Sequence, residues 1–477
     1  MRMTLSVVAL AAVSGVAAAN PLNPYEFTSL GTVSLTAAGT YTINTDTLQM
    51  TGPSILPISG TLLSSGGRGV AVFAFTELKV GSGCPIVVVG SRPVAILSRT
   101  TFTCDSTITA AGGAGQAGGS NSGSVPGARG AGGAGAGGGG AGGAGGEGAF
   151  GNTSLDSGVP GSAGAGLGAG SGGVAGTTIK GGGGGGGSFA TDGGSNAGTS
   201  YGSFFSRLEA GSGGGGGGGS RTGNSTNGGT GGSGGGAGGG AIEIGAIDSV
   251  TLSQVVDCSG GNGAPGTTGF GAGGGGGGSG GMILVHANQV VAPNLRAPGG
   301  TGGTGGTGGP GGNGGTGGNG GNGRIGVQSA TSATLGTLTG SFLTTAVIAD
   351  VGDVDFGDVE VGTSKTLAVF VRNIGGADGC INGQFPQATA PMVRLGNGVL
   401  SGATNTVAVA GRYRFVPTTV GEFSQEISIL TNAGTRVVTL RGRGVAPTCV
   451  ADLNNDGFVD DADFSFFIQD YNRLICE

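Results

Sequence analysis

Short apolar runs separated by Gly, Pro and Ser make up the first part of the chain, residues 20–110. No helical periodicity connects these runs, and segments so short and evenly spaced indicate an all-β unit. Residues 78–110 have the form of successive rungs of a right-handed β-solenoid. The runs are residues 39–44, 69–75, 85–89, 94–97 and 102–108.

A second apolar pattern covers residues 342–444, where apolar and polar residues alternate as they do in the half-buried strands of a β-sandwich. The alternation is clearest at residues 367–371, 413–416, 426–430 and 436–440. Glycines are expected at its turns: Gly362, Gly375 and Gly421. The predicted core is Phe356, Leu367, Val369, Phe415, Phe423, Ile427 and Leu440.

The last apolar pattern belongs to a helix. Five residues near the C-terminus follow one another at helical spacing, so they lie on one face. They are Phe464, Phe467, Ile468, Tyr471 and Ile475.

Between these patterns lies a glycine-rich middle, residues 111–326, in a chain where 122 of 477 residues are glycine. In residues 298–323 only every third position carries a side chain. Glycine brings no apolar surface and loses the most backbone entropy on folding, so a hydrophobic core is excluded there. Period three suits extended polyglycine II helices with three residues per turn. A disordered tract is the alternative.

A repeat within this middle favours a β-scaffold with glycine-rich excursions. Each of three segments consists of the end of a strand, one small residue and then glycines. The small residues are Ala110, Cys258 and Ala297. Glycine runs then enter strands at residues 241–244 and 282–285. Repeats of this kind are typical of stacked units. In this alignment His286 matches Gly245, and we interpret His286 as a strand residue without a site.

One motif carries specific chemistry, the acidic loop of residues 452–463. Calcium takes six to eight oxygen ligands, and a twelve-residue loop supplies them from positions 1, 3, 5, 7, 9 and 12, with glycine at position 6. Gly457 holds that sixth position. The predicted Ca²⁺ ligands are Asp452, Asn454, Asp456, the Phe458 carbonyl, Asp460 and Asp463. A solvated acidic turn is the alternative.

Two regions resemble known families. The sequences D-F-G-D-V-E-V-G-T (355–363), V-R-N-I-G (371–375), F-V-P-T-T-V-G (415–421) and L-R-G-R-G (440–444) resemble the immunoglobulin-like ASH and choice-of-anchor D domains, which implies a spacer or interaction module. Residues 447–477 resemble the GC-type dockerin tail of secreted planctomycete-like bacterial proteins, which implies attachment or sorting. Dockerins that bind cohesins carry two such loops, whereas this tail has one.

The net charge and the N-terminal residues predict the location of the protein. The net charge is −6 and only 10% of residues are charged, so the basic face needed to bind nucleic acid is missing. Residues 1–19 read as a secretory signal peptide, cleaved after Ala19, that is too short to span a membrane. Later segments are not apolar enough to form a transmembrane span. We therefore expect a secreted or cell-surface protein.

Six cysteines would then meet an oxidising compartment. Their spacing predicts two local disulfides, Cys84 with Cys104 and Cys449 with Cys476. The first pair is twenty residues apart, near a common rung length, so the two could stack on adjacent rungs. Cys258 is expected to be a buried free thiol, and Cys380 has no assigned partner.

These observations predict five regions: a signal peptide (1–19), a solenoid-like β domain (20–110), a glycine-rich scaffold with β rungs (111–326), an immunoglobulin-like sandwich (342–444) and a dockerin-like single EF-hand module (447–477). The expected function is non-enzymatic, as a surface or matrix structural or adhesion protein that binds an envelope or matrix protein or polysaccharide. With one histidine, we expect neither a His-dependent catalytic triad nor a His-rich metal site. The alternatives are a secreted β-solenoid carbohydrate-active enzyme and an ice-binding protein that uses the array Thr301, Thr304 and Thr307.

Overall fold

The structure is a computed structural model of the whole chain. It describes residues 21–65, 68–150, 157–176, 180–204, 208–221, 227–308, 312–331, 333–447, 451–454, 456 and 458–475. The predicted signal peptide and both Cys449 and Cys476 lie outside the described residues. The described chain is nearly all β, which confirms the prediction of an all-β protein.

The first sheet-forming part of the chain begins with a short 3-10 helix, Pro24–Glu26. Its strands are β1 Thr32–Leu35, β2 Tyr41–Asn44, β3 Gln49–Thr51, β4 Ile58–Ser59, β5 Thr61–Ser65, β6 Arg68–Phe75, β7 Glu77–Val80, β8 Ile86–Val89, β9 Val94–Ser98, β10 Thr101–Cys104, β11 Ile108–Thr109, β12 Ala241–Ala246, β13 Ser249–Leu252, β14 Val256–Asp257, β15 Met282–Ala287, β16 Gln289–Arg296, β17 Arg324–Ser329, β18 Thr334–Thr339 and β19 Ser341–Ala346. We call this part the parallel unit.

Successive passes of the chain through the parallel unit add strands that pair in parallel with those of the previous pass, whereas β3, β4 and β5 pair antiparallel with β2, β3 and β6. One sheet contains the order β19-β17-β15-β12-β9-β6, and the other begins β1-β7-β10-β13-β16 and returns through β14, β11 and β8. The strand order reverses at β16 because the first half of β16 pairs with β13 and its second half pairs with β14. Both sheets bury apolar side chains in one shared core, which includes Phe73, Ile96 and Ile244.

The strand register confirms the alignment made from the sequence repeat. Val256 lies opposite Ile108 and Leu295, so Ala110, Cys258 and Ala297 occupy equivalent positions at the ends of neighbouring strands. On the other sheet, Gly245 lies opposite His286.

Three glycine-rich excursions, residues 111–240, 259–281 and 297–323, leave the parallel unit after β11, β14 and β16 and return at β12, β15 and β17. Because the departure strands are neighbours and the return strands are neighbours, all three excursions lie at one corner. We call them together the glycine bundle.

Hydrogen bonds between segments hold the glycine bundle together, and they recur every third residue. Gly214 N donates to Gly236 O at 2.9 Å, and Gly217 N donates to Ser233 O at 2.8 Å. Residues 211–220 form such bonds with six neighbouring segments. Those segments are residues 140–149, 159–165, 170–176, 182–185, 230–239 and 273–279. The hydrogen-bonded residues are spaced three apart along each of these segments.

Glycine is required in the bundle because the segments approach one another at the level of the main chain. A Cβ atom on Gly216 would overlap the carbonyl of Ala144, and one on Gly217 would overlap the carbonyl of Gly273. Some of the remaining side chains are buried, such as Phe189 and Leu208, whereas Thr301, Thr304 and Thr307 are exposed.

A second pair of sheets follows, which we call the sandwich unit. Its strands are β20 Ala349–Val351, β21 Val354–Glu360, β22 Lys365–Asn373, β23 Ile381–Gln384, β24 Met392–Leu395, β25 Val399–Ala403, β26 Val409–Phe415, β27 Gly421–Thr431 and β28 Arg436–Val445. The sheet orders are β20-β22-β26-β24 and β21-β28-β27-β23-β25. Of the predicted core, Phe356, Val369, Phe415, Ile427 and Leu440 are buried, and Leu367 and Phe423 pack against them partly exposed.

The described chain ends in helix α1, Asp461–Ile475. None of the helices that the structure describes has the length and apolar content needed to cross a lipid bilayer.

Candidate metal centre at the C-terminus

The predicted calcium loop leads directly into α1. The last predicted ligand, Asp463, reaches back to the start of the loop, where its Oδ1 accepts hydrogen bonds from Leu453 N at 2.6 Å and Asn454 N at 3.1 Å. Its Oδ2 accepts one from Asp460 N at 2.9 Å. Asp463 is only 3% exposed although it carries a carboxylate. These bonds close the loop around one side chain.

The same bonds set the charge state of Asp463. The backbone N–H of Asp460 lowers the pKa of the Asp463 carboxyl, with further contributions from the N–H groups of Asn454 and Leu453, while desolvation acts in the opposite direction. Hydrogen bonds donated to a carboxylate favour its ionised form. The Asp463 carboxylate therefore stays ionised, and able to act as an oxygen ligand, at a lower pH than the carboxylate of an ordinary aspartate.

The other predicted side-chain ligands are also engaged with N–H groups. Asp456 N donates to Asp452 Oδ1 at 3.1 Å and to Asn454 Oδ1 at 2.9 Å. Asp456 Oδ1 accepts from Phe458 N at 3.0 Å, and Asp460 Oδ1 accepts from Ala462 N at 2.8 Å. Gly457, at the predicted turn position, lies outside the described residues.

The chemistry of these donors fits calcium, since every predicted ligand atom is an oxygen and four of the side chains are carboxylates. Their geometry is not that of a finished site. Within the described ranges, no three His, Cys, Asp or Glu side chains are grouped as metal ligands. For a cation to bind, these carboxylates would have to move closer together.

An apolar hollow of about 320 Å³ lies beside the loop. Asp460 and Asp463, two of the predicted ligands, form part of its wall. Its complete lining is Ala451, Leu453, Val459, Asp460, Asp463, Phe464 and Phe467. The loop and the hollow therefore share side chains.

The hollow continues onto an exposed aromatic row along α1. Phe464 is 63% exposed, Phe467 52% and Tyr471 50%. Their rings stack in succession, with centroids 6.4 Å and 6.0 Å apart. The helical spacing thus predicts the helix, and the structure leaves its apolar face uncovered by other described residues.

The structure differs from the predicted Cys84–Cys104 disulfide, since both residues are buried free thiols. The reason is the register. Cys104 lies opposite Val80, and the neighbouring pair Ile108 and Ile86 places Cys84 opposite Ser106, whose hydroxyl accepts a hydrogen bond from Cys84 N at 2.8 Å. The rungs are longer than the twenty residues assumed from the sequence, so the two cysteines do not stack on each other.

The remaining described cysteines, Cys258 and Cys380, are also buried free thiols. Burial raises the pKa of Cys104 to about 11 and that of Cys380 to about 12, and it raises the pKa of Cys258 well above the usual value. These thiols are therefore protonated at neutral pH and poor nucleophiles. The Cys449–Cys476 pair lies outside the described residues and stays a prediction.

Sequence reasoning missed a buried polar pair. His286 Nε2 lies 3.0 Å from Glu243 Oε1, and the side chains are 1% and 0% exposed. The repeat alignment contained the necessary information. Gly245 lies opposite His286 and has no side chain, so the imidazole covers Gly245 and reaches Glu243, two residues away on the same strand.

Comparisons with known proteins give this chain no family. No family model and no curated protein matches it. A solved protein of unknown function from Porphyromonas gingivalis W83 is similar over 23% of this chain and 54% of its own, with 12% identity and a TM-score of 0.18. The VesB protease of Vibrio cholerae is similar over 20% of this chain and 31% of its own, with 10% identity and a TM-score of 0.16. The chain thus spans about half or less of these structures, at a likeness too low to support an argument.

Proposed function

We propose that this chain is an exported, non-enzymatic structural or adhesion protein of the cell surface or extracellular matrix. Its C-terminal loop binds calcium and attaches or assembles the protein. The observation that carries this proposal is the loop closed around buried Asp463, which leads directly into an exposed aromatic helix face. Oxygen donors at calcium-loop spacing and an uncovered apolar face together suit a binding module.

We also infer the finer architecture that this role would use. The parallel unit is a β-solenoid, and its glycine bundle consists of polyglycine II helices that form a stiff scaffold. The sandwich unit is an immunoglobulin-like spacer, and the last residues form a single EF-hand-like module. Parallel strand pairing, period-three hydrogen bonds and two facing antiparallel-rich sheets support these assignments.

Calcium and partner binding are coupled in this proposal through shared side chains. Asp460 and Asp463 belong to the predicted ligand set and also line the apolar hollow. Loading the loop would turn Asp460 toward the ion and reshape the hollow next to Phe464 and Phe467. A protein or polysaccharide of the cell envelope or matrix would then bind the reshaped surface.

Isothermal titration of the secreted full-length chain with calcium tests the proposal. We expect binding at about 10⁻⁴ to 10⁻³ M, the range of extracellular modules, and weaker binding of magnesium because it demands octahedral geometry. Asp456→Ala should abolish the calcium heat. Asp461→Asn, which changes an exposed carboxylate of the same loop outside the ligand positions, should preserve it.

Attachment is tested separately, by sedimentation of the chain with envelope fractions of the producing cell. Calcium should increase the bound fraction, and Phe467→Ser should reduce it without changing the calcium titration. If the wild-type chain shows neither calcium heat nor calcium-dependent sedimentation, the loop is an acidic turn and the proposed attachment role fails.

A further inference from the structure

A hollow of about 370 Å³ lies where the glycine bundle meets the parallel unit. On the parallel unit it is lined by Gly69 of β6 and by residues 91–93, which precede β9. The first excursion, residues 111–240, supplies the rest of the described lining: Gly138, Gly140, Gly166, Tyr201, Ala210 and Gly211. The volume lies within the range of small-molecule binding sites, roughly 300–1,000 Å³.

Half of the described lining residues are glycines, so main chain forms much of the wall. Gly138 and Gly166 have φ angles of +87° and +110°, in the left-handed region that favours glycine. Gly166 is exposed and Gly211 is buried, so the wall runs from solvent into the protein. Where side chains are missing, a ligand can approach the peptide groups closely.

Tyr201 is the aromatic residue of the described lining. Its hydroxyl donates to Ala210 O at 2.6 Å and lies 2.9 Å from Ser212 Oγ, and these contacts fix the ring. The wall therefore combines peptide groups, which form hydrogen bonds, with the apolar surface of a ring. A sugar presents the matching mixture, because its hydroxyl groups lie at the edge of the ring and its C–H groups on the faces.

Arg92 is the single charged residue among the described residues that line the hollow. Its Nη1 donates to Thr45 O at 3.0 Å and to Asp46 O and Oδ1 at 3.3 Å and 3.2 Å. Asp46 is itself held by Ser91, whose N and Oγ donate to Asp46 Oδ1 at 3.1 Å and 2.6 Å. These bonds fix the guanidinium from its Nη1 side.

The opposite edge of the same guanidinium is available for a ligand. Arg92 Nε and Nη2 have no hydrogen-bond partner in the described part of the chain, and the side chain is 34% exposed. Two N–H groups along one edge match the two oxygens of a carboxylate. Because Asp46 already offsets the charge of Arg92, a singly charged carboxylate suits this site better than a phosphate dianion.

We propose that this hollow binds a carboxylated sugar unit of an acidic polysaccharide, and that the Nε–Nη2 edge of Arg92 holds its carboxylate. Hydroxyl groups of the sugar bond to the glycine main chain, and its apolar face lies against Tyr201. The choice of a polysaccharide as the source of the carboxylate rests on the proposed function at a cell surface or matrix. The site itself is separate from the calcium loop.

Calorimetric titration of the secreted full-length chain with trigalacturonate tests this proposal. A calcium chelator is present throughout, so the C-terminal loop contributes no heat and failure of one proposal is distinguishable from failure of the other. The matched probe is the methyl ester of trigalacturonate, which has the same sugar rings without the charges. The acid should bind, and the ester should bind roughly ten- to a hundredfold more weakly because it loses the charge-assisted hydrogen bonds.

Variants assign the effect to Arg92. Arg92→Gln should weaken trigalacturonate binding by the same factor, whereas Arg129→Gln, which changes an exposed arginine of the glycine bundle, should preserve it. Equal binding of the acid and the ester would overturn the proposal. Binding of N-acetyl-triglycine without binding of trigalacturonate would also overturn it, and would identify a peptide carboxylate as the ligand.

A measurement on the wild type alone covers the case in which Arg92→Gln does not fold. Phenylglyoxal modifies guanidinium groups, and mass spectrometry of peptides gives the rate at each arginine. At a trigalacturonate concentration about ten times the dissociation constant, Arg92 should react roughly tenfold more slowly, because only the free fraction is modified. The rate at Arg129 should not change. An unchanged rate at Arg92, or equal slowing at both arginines, would contradict a site at Arg92.

Discussion

The glycine bundle and the sandwich unit achieve order by opposite means. The sandwich unit buries large side chains between two sheets, with Phe415 packed between Phe356 and Phe423 at ring-centroid distances of 5.6 Å and 5.5 Å. The bundle buries main chain, and residues 211–220 are bonded to six neighbouring segments. Dispersion and apolar burial dominate in the sandwich unit, whereas peptide hydrogen bonds and close main-chain contacts dominate in the bundle.

This difference teaches where each region is sensitive to change. In the sandwich unit, removing a large side chain leaves a cavity. In the bundle, adding a single methyl group to a glycine would prevent the close main-chain contact between segments, because a neighbouring carbonyl occupies the space that the Cβ would need. The two regions should therefore respond in opposite ways to larger and smaller residues.

The largest expected effect follows from enlarging a central bundle residue. Gly216→Val should destabilise the bundle by more than about 5 kcal/mol, outside the usual range for one substitution, because the overlap is with main chain that has no room to shift. Gly352→Val is the matched control, since nothing lies within 4 Å of its Cβ position. Chemical denaturation should show the contrast, and equal losses for the two variants would show that the bundle is not packed in this way.

Truncating a core residue of the sandwich unit should have the next largest effect. Phe415→Ala should cost about 3–5 kcal/mol through lost burial and the cavity it leaves. Phe370→Ala removes a ring of the same size that is 58% exposed, and it should cost less than about 1 kcal/mol. Chemical denaturation of the two variants and the wild type measures both losses.

The smallest expected effect is an acid response of the C-terminal loop. Because the folded pKa of Asp463 is lowered, its contribution to loop stability is present above the unfolded pKa of about 3.9 and is lost as pH falls through the folded pKa. Loop resonances should therefore change below about pH 4 while those of the sandwich core stay in place. A loop that changes near pH 6 would contradict this assignment.

The sequence contained the repeating elements of the fold because period and spacing are local properties. The alignment of Ala110, Cys258 and Ala297 and the period-three run both correspond to positions that the structure brings into register. The same reasoning identified the amphipathic spacing of α1.

Features that depend on distant contacts could not be read in this way. The Cys84–Cys104 pairing assumed a rung length that only the strand register reveals. Hydrogen bonds join Leu22 to Glu243, which is 221 residues away, and Pro21 to Asn382, which is 361 residues away. No periodicity marks those partners, because each contact occurs once.

Hydrogen exchange of the glycine bundle tests the central claim most directly. If the segments are ordered by the hydrogen bonds described above, amides of residues 211–220 and 230–239 should be protected to a degree comparable with the core strands β12 and β15. Amides at exposed positions that donate to no neighbour should exchange fast in the same experiment. Complete exchange of residues 211–239 within seconds, with β12 and β15 still protected, would show that the bundle is a disordered tract attached to a folded parallel unit.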